Sequence, residues 1–173
     1  VIRALVNDTA RQRAVAAVGG HAIAGGCVLA LTADYRVLRR GGVHIGLNEV
    51  RAGLPLPWSV ATLLRVSIRP ESVAEVALLG KNFADEEALS AGLVQELAGA
   101  ERFEEACLAR CLEFAEKDAA ALAVTKRYLR AEALDTMRSR EAGLREEFLD
   151  AWFSEPTRAR IRATINSLGK SNA

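Results

Sequence analysis

The segment from Ala14 to Thr32, AVAAVGGHAIAGGCVLALT, constrains the fold more than any other part of the chain. AVAAV (14–18) reads as a buried strand, and the apolar residues from Gly26 to about Thr32 read as a short helix. Between the two runs stand four glycines in eight residues, Gly19, Gly20, Gly25 and Gly26. A strand must therefore turn tightly into a helix N-terminus, where unpaired N–H groups and the positive end of the dipole favour an anion or developing negative charge. Two readings fit the glycines alone: a turn that permits close packing, or backbone brought near a ligand. They do not form the dinucleotide pattern GxGxxG. Gly20 and Gly25 have the spacing of a phosphate loop, but Gly26 and Cys27 stand where Lys and Ser or Thr are required. A nucleotide triphosphatase is disfavoured.

DYRVL (34–38) reads as the next strand, which makes a βαβ unit with a right-handed crossover expected. Arg39–Gly42 should turn, and VHIG (43–46) returns extended. Glu49 follows in an apolar, glycine-spaced context, IGLNEVRAGLPLP, and only Asp34 and Glu49 are acidic between residues 14 and 70. A carboxylate in apolar surroundings has its charged form disfavoured, which raises its pKa toward the range useful for proton transfer. Hydrogen-bond donors on one side and a lone acid on the other are the ingredients of an enolate-forming site. Taken alone, Glu49 reads as a surface or loop-capping glutamate paired with Arg51. Asn48 is adjacent, and nothing in the sequence shows it orienting Glu49.

Pro55 and Pro57 break the chain before a helix in WSVATLLRV. Pro70 starts a further helix, ESVAEVALL, ended by Gly80; Ala84–Glu87 opens another that ends near Gly92, and LVQEL (93–97) reads as a strand. From Ala100 onward four helices are expected, over 101–116, 118–134, 136–152 and 156–168. Asp118 and Asp135 would cap the second and third, and Pro156 suits the first turn of the last. VIRALVNDTARQR reads as the end of an amphipathic helix, with Ile2, Leu5 and Val6 at helical spacing. The division is an α/β layer over 1–99 and a helical appendage over 100–173.

With 173 residues, half of them apolar, the chain suffices for one domain with a substantial core. A net charge of +1 gives no overall electrostatic case for nucleic acid. The charge is uneven: residues 1–70 carry nine arginines against Asp8, Asp34 and Glu49, whereas the remainder has fourteen basic and nineteen acidic residues. A basic front half could hold a phosphorylated carrier or simply be solvated. Cys107 and Cys111 lie on an expected helix in a stripe with Phe103 and Phe114, and read as reduced core residues. The only histidines, His21 and His44, argue against a zinc site. No signal peptide or membrane-length apolar run is present, so a reducing, soluble compartment is the default expectation.

The strings HAIAGGCVLALTADYRV and IGLNEVRAGLPLPW resemble the crotonase (enoyl-CoA hydratase/isomerase) superfamily. AGGCVLALTADYRV and IGLNE are most similar to its mitochondrial-type Δ3,Δ2-enoyl-CoA isomerases, and ALLGKNFADEEALSAGLVQEL is similar to the family's next landmark. The resemblance runs from Arg13 to Leu97, and more loosely through the helical tail. It implies an α/β fold of the ClpP/crotonase type, a ββα spiral core followed by a C-terminal helical region. Residues 1–99 would be the later part of that core, and 100–173 a region for trimerisation and for covering the active site. Because the chain begins without Met, in a segment that reads as mid-domain, the family's N-terminal part is expected to be missing from it.

The resemblance also assigns roles. Gly25 would supply one oxyanion-hole N–H, the family's other donor belonging to an earlier loop. Glu49 would be the catalytic acid/base. Ala24 and Gly26 would contact substrate, and Leu54, Leu56, Pro57 and Trp58 would wall the acyl pocket. Val28 departs from the hydratase pattern, which carries a second glutamate two residues after the glycine pair. Hydration is served by two carboxylates, whereas moving a double bond needs one, so the departure points to isomerisation. Asp34 and His21 are expected to be structural. Phe148, Trp152 and Phe153 read as core or subunit interface, and Lys170 as a solvated tail residue or a contact to a CoA phosphate. The expected substrate is an acyl-CoA thioester, with no metal or redox cofactor and coenzyme A arriving as part of the substrate. A homotrimer or hexamer is implied, with no nucleic-acid or membrane partner, in the cytoplasm of a bacterium or the mitochondrion or peroxisome of a eukaryote. The alternatives are another crotonase activity, such as a hydratase or thioester hydrolase, and a non-catalytic acyl-CoA-binding or assembly subunit.

Overall fold

A computed structural model describes residues 12–170; the helix read at Ile2, Leu5 and Val6 lies outside them. The first apolar run forms strand β1 (Val15–Val18). A two-residue strand β2 (Ala22–Ile23), not anticipated from the sequence, precedes helix α1 (Gly25–Thr32). Strand β3 (Tyr35–Arg39) returns beside β1 in parallel, Val15 opposite Tyr35, which completes the expected βαβ unit. Strand β4 (His44–Gly46) pairs in parallel with β2, strand β5 (Asn82–Ala84) runs antiparallel to β4, and β6 (Glu96–Ala98) runs parallel to β3. Among the described residues the strands make two three-stranded sheets, in the orders β1-β3-β6 and β2-β4-β5. The chain crosses between them repeatedly, so β1 and β2 belong to different sheets although only Gly19–His21 separate them.

The core lies between these sheets and the helices. Cys27, Val28, Ala30 and Leu31 of α1 are buried together with Leu38, Ile45, Leu47, Phe83 and Leu93. Helix α2 (Trp58–Ser67), entered directly after Pro57, adds Val60, Leu63 and Leu64 at the spacing of one helical face. The helix expected from Pro70 is shorter than its sequence suggested. Pro70–Ser72 is a 3₁₀ turn, helix α3 covers only Val73–Ala77, and Gly80 closes the segment in the left-handed region at φ 60°. Helix α4 (Asp85–Ser90) follows β5. The strand read over 93–97 begins only at Glu96, because the N–H groups of Leu93 and Val94 both turn back to the Ala88 carbonyl at the end of α4.

The C-terminal region holds three described helices rather than the four expected: α5 (Phe103–Ala115), α6 (Ala119–Phe153) and α7 (Glu155–Lys170). Asp118 caps α6 as expected, its carboxylate accepting the Ala121 N–H at 2.7 Å. Asp135 does not begin a new helix. It lies inside α6, paired with Arg138 at 3.2 Å, in a stretch without proline whose Ala133, Leu134 and Met137 are buried on the core side. Pro156 sits in the first turn of α7, where its missing N–H costs nothing.

One expectation about side chains is corrected, and another is narrowed. Cys107 is only half-buried and Cys111 is exposed, so the α5 thiols are not core residues. The inward stripe of α5 is Phe103, Cys107, Arg110 and Phe114, with Phe103 resting over Gly19; Cys111 is rotated off it. Trp152 and Phe153 are exposed, with the Phe148 and Trp152 rings 6.0 Å apart, so of the two readings of this cluster the subunit interface is kept and core within the chain is not. Asp34 has the structural role expected of it. It accepts the Ala14 N–H at 2.9 Å and pairs with Lys126 at 2.6 Å and Arg130 at 2.9 Å, tying α6 to the first sheet. The neighbouring Arg36 is buried, and its guanidinium donates to the carbonyls of Leu93, Ser67 and Gly92. Burial lowers its pKa to about 10.

Candidate active site

The parallel pairing of β2 with β4 sets Ile23 opposite Gly46, so both strands end on the same side of the sheet. β2 runs out into Ala24 and Gly25, and β4 into Leu47, Asn48 and Glu49. The Ala24 N–H donates to the Gly46 carbonyl at 2.9 Å, which ties the two exits together. The two residues singled out by their sequence contexts therefore stand on adjoining turns.

Ala24 precedes α1 with φ 52° and ψ −117°, a conformation costly for a residue with a Cβ. Its carbonyl accepts the Val28 N–H at 3.0 Å. Because the Ala24–Gly25 peptide is planar, pinning that carbonyl along the helix aims the Gly25 N–H out of the helix N-terminus. A Cβ built on Gly25 meets nothing within 4 Å, and a Cβ on Gly26 meets only the Ala22 side chain at 3.8 Å. Packing does not demand glycine at position 25, and open space lies beside it. Val28 is 7% exposed and belongs to the core.

Glu49 opens a 3₁₀ turn, Glu49–Ala52. Its Oε2 atom is buried and has no hydrogen-bond partner among the described residues. Burial holds its pKa above the ordinary carboxylate value, partly offset by its own backbone N–H. The pairing with Arg51 does not form; the stem of Arg51 packs at Gly80, whose Cβ position would lie 2.9 Å from Arg51 Cγ. Asn48 contributes its backbone carbonyl, which accepts the Arg51 N–H at 3.1 Å, and makes no side-chain cap. The turn closes through Gly53 N–H to the Val50 carbonyl and Leu54 N–H to the Glu49 carbonyl, both at 3.0 Å.

Leu54 is buried, and Leu56 is half-buried against the core cluster. Pro57 precedes α2 directly. Trp58 is partly buried, its indole N–H donating to the Thr136 carbonyl of α6 at 3.0 Å with the Arg140 guanidinium over its ring. A cavity of about 280 Å³ between α1, α2 and α6 is lined by Asp34, Arg36, Lys126 and Arg130 and does not include Glu49. His21 accepts the His44 N–H at its Nδ1, with the two rings 5.3 Å apart at the entry of the β2–β4 pair. Among the described residues no group of three or more His, Cys, Asp or Glu side chains could hold a metal, and no helix is long and apolar enough to cross a membrane.

Two contributors were not visible in the sequence. Cys27 is fully buried against the Gly46 backbone, near enough to Glu49 to feel its charge; burial first, then that charge, push the thiol up to about 12. Thr157 of α7 donates its hydroxyl to the Gly53 carbonyl at 3.0 Å across 104 residues of sequence. No local pattern announces a bond of that span.

The paired spiral sheets, the strand–turn–helix at Gly25 and the helical C-terminal region place the fold in the crotonase class. It superposes on human mitochondrial Δ3-Δ2-enoyl-CoA isomerase with a TM-score of 0.91 over 99% of this chain and 68% of that one, at 23% identity, a likeness of fold alone. An enoyl-CoA hydratase of Mycobacterium ulcerans matches with a TM-score of 0.77 and 32% identity over 85% of this chain and 65% of that one. In sequence, 95 residues are 35% identical to human mitochondrial enoyl-CoA delta isomerase 1, covering 54% of this chain and 32% of that protein. The chain thus spans about a third of the length of this curated relative. The model of the enoyl-CoA hydratase/isomerase family matches residues 8–159, and the chain belongs to that family.

Proposed function

We propose that this chain carries the proton-transferring part of an enoyl-CoA isomerase, which moves a C3 double bond of an acyl-CoA thioester to C2. The observation that carries the reading is the Glu49 carboxyl, with one oxygen buried and unpartnered and its pKa raised by burial. A base must shed water and keep a free oxygen to accept a proton, and this group does both. Glu49 takes the C2 proton of the 3-enoyl thioester, and the electron pair moves into the thioester carbonyl to give a dienolate. The Gly25 N–H, aimed from the start of α1, stabilises the developing oxyanion. The protonated Glu49 then returns its proton to C4, which leaves the double bond between C2 and C3. Atoms and charge balance without an oxidant, reductant or metal, and coenzyme A enters with the substrate.

Val28 supports isomerisation over hydration. It is an aliphatic core residue where the hydratase pattern would have a second carboxylate to activate water. Hydration is kept as a second reading, because a solved relative at 32% identity is titled an enoyl-CoA hydratase. The substrate walls Ala24, Gly26, Leu54, Leu56, Pro57 and Trp58 and a homotrimeric or hexameric assembly are part of the same proposal. Exposed Tyr128, Leu129 and Phe153 on α6 offer apolar surface for such contacts.

The test is a paired assay of the protein and its Glu49→Gln variant with a 3-enoyl-CoA, followed by the ultraviolet absorbance of the conjugated thioester and by product mass. Isomerisation predicts conversion at constant mass, lost in the variant. A product heavier by one water makes it a hydratase, and release of free CoA makes it a hydrolase. Binding without turnover in both proteins leaves a non-catalytic subunit.

A further inference from the structure

The last helix reaches the Glu49 turn through one peptide group. Thr157, 3% exposed and near the start of α7, donates its hydroxyl to the Gly53 carbonyl at 3.0 Å. The N–H of that same Gly53–Leu54 peptide donates to the Glu49 carbonyl at 3.0 Å. A peptide unit is planar, so fixing its oxygen fixes the direction of its N–H. Gly53 adopts φ 81°, and a Cβ there would lie 2.6 Å from the Arg160 guanidinium and 3.4 Å from Thr157 Oγ1, so α7 rests directly on the turn. On the other flank Gly80 packs against Val50 and Arg51.

A four-residue 3₁₀ turn has poor hydrogen-bond geometry and holds itself weakly. Asn48 gives this one no side-chain cap. Its placement therefore depends on what clamps it from outside, and Thr157 supplies a buried hydroxyl for that purpose. We propose that Thr157 is a positioning residue for the Glu49 carboxyl, acting through the Gly53–Leu54 peptide, so that α7 sets the reactivity of the base in its own chain. The proposal rests on the reading of Glu49 as that base.

The test compares the full chain with Thr157→Val, which removes the donor at nearly constant shape, and Thr157→Ser, which restores it. Three quantities are read: hydrogen exchange of the Leu54 amide, the carbon-13 titration of the Glu49 carboxyl, and kcat and KM with a 3-enoyl-CoA. In the valine variant the Leu54 amide exchanges about tenfold faster and kcat falls about tenfold, with KM within about twofold of the parent. The Glu49 titration moves to lower pH as the carboxyl gains water, and serine returns all three toward the parent. A folded valine variant with parental exchange and titration overturns the proposal. In the unaltered protein the Leu54 amide should be protected as strongly as the α7 amides; free exchange there overturns it too, whether or not the valine variant folds. If turnover survives Glu49→Gln, the assignment of the base fails, whereas the exchange and titration data still decide the coupling of Thr157 to the turn.

Discussion

Replacing Glu49 by Gln separates the cost of its carboxyl to the fold from its role in the proposed chemistry. Glutamine keeps the shape and cannot ionise. In the folded chain Oε2 is buried without a partner and burial raises the carboxyl's pKa, whereas in the unfolded chain the group is hydrated and titrates at about 4.3. The native state then holds the proton more tightly than the unfolded state. Stability is highest below the unfolded value, falls as pH rises toward the folded value, and stays reduced above it. Glutamine puts a polar amide at the same place, so the substitution relieves only the extra cost of holding a charge there, about 1–3 kcal/mol for a buried group. The residue as a whole is only half-buried, and solvent screens part of its charge, so the low end, about 1 kcal/mol, is expected. Glu49→Gln should exceed the parent in stability by about 1 kcal/mol at about pH 8 and match it near about pH 4. Its turnover with a 3-enoyl-CoA should fall by about a hundredfold or more. Urea unfolding followed by tryptophan fluorescence at both pH values, with equal m-values, gives the first quantity. A variant less stable at the higher pH, or stabilised equally at both, would mean that the carboxylate is a satisfied surface group, and the case for a poised base would fall.

Two other perturbations test the frame around the site. Asp34→Asn removes the charge shared by Lys126 and Arg130 and should lower the unfolding free energy by about 3 kcal/mol; an unchanged urea midpoint would refute the structural role of that network. Iodoacetamide labelling followed by mass spectrometry should modify Cys111 first, Cys107 more slowly, and Cys27 only on unfolding, since Cys27 is fully buried with its thiol raised to about 12. Early labelling of Cys27 in the folded chain would contradict its place in the core.

The parts of the fold legible in the sequence were those with local signals. AVAAV is an apolar run closed by glycines and DYRVL carries the β-formers Tyr35 and Val37, and each became a strand of the first sheet. The Asp118 cap was equally plain. Asp135 carries the same capping chemistry, but the apolar periodicity through Leu134 and Met137 continues past it, and core packing kept the helix whole. β2 and β5, of two and three residues, are too short to display a period and exist only because β4 lies between them. At the candidate site, Gly25 and Glu49 stood out in the sequence because their surrounding strings are distinctive, and the roles proposed for them rest on those strings and on the turn geometry. Their juxtaposition became visible only with the β2–β4 register, and the exposure of Cys111 only with the rotation of α5 about its axis. The burial of Glu49 Oε2 depends on how the turn packs, which no spacing rule encodes.

The docking of α7 on the Glu49 turn has a genetic consequence. The helix that clamps the turn and the acid that the turn presents belong to one polypeptide. If such chains assemble, a copy lacking Glu49 and a copy lacking Thr157 cannot lend each other the missing part. If Glu49 is the base, mixed assemblies should show no complementation between the two alleles, only the reduced turnover of the Thr157-deficient copies themselves.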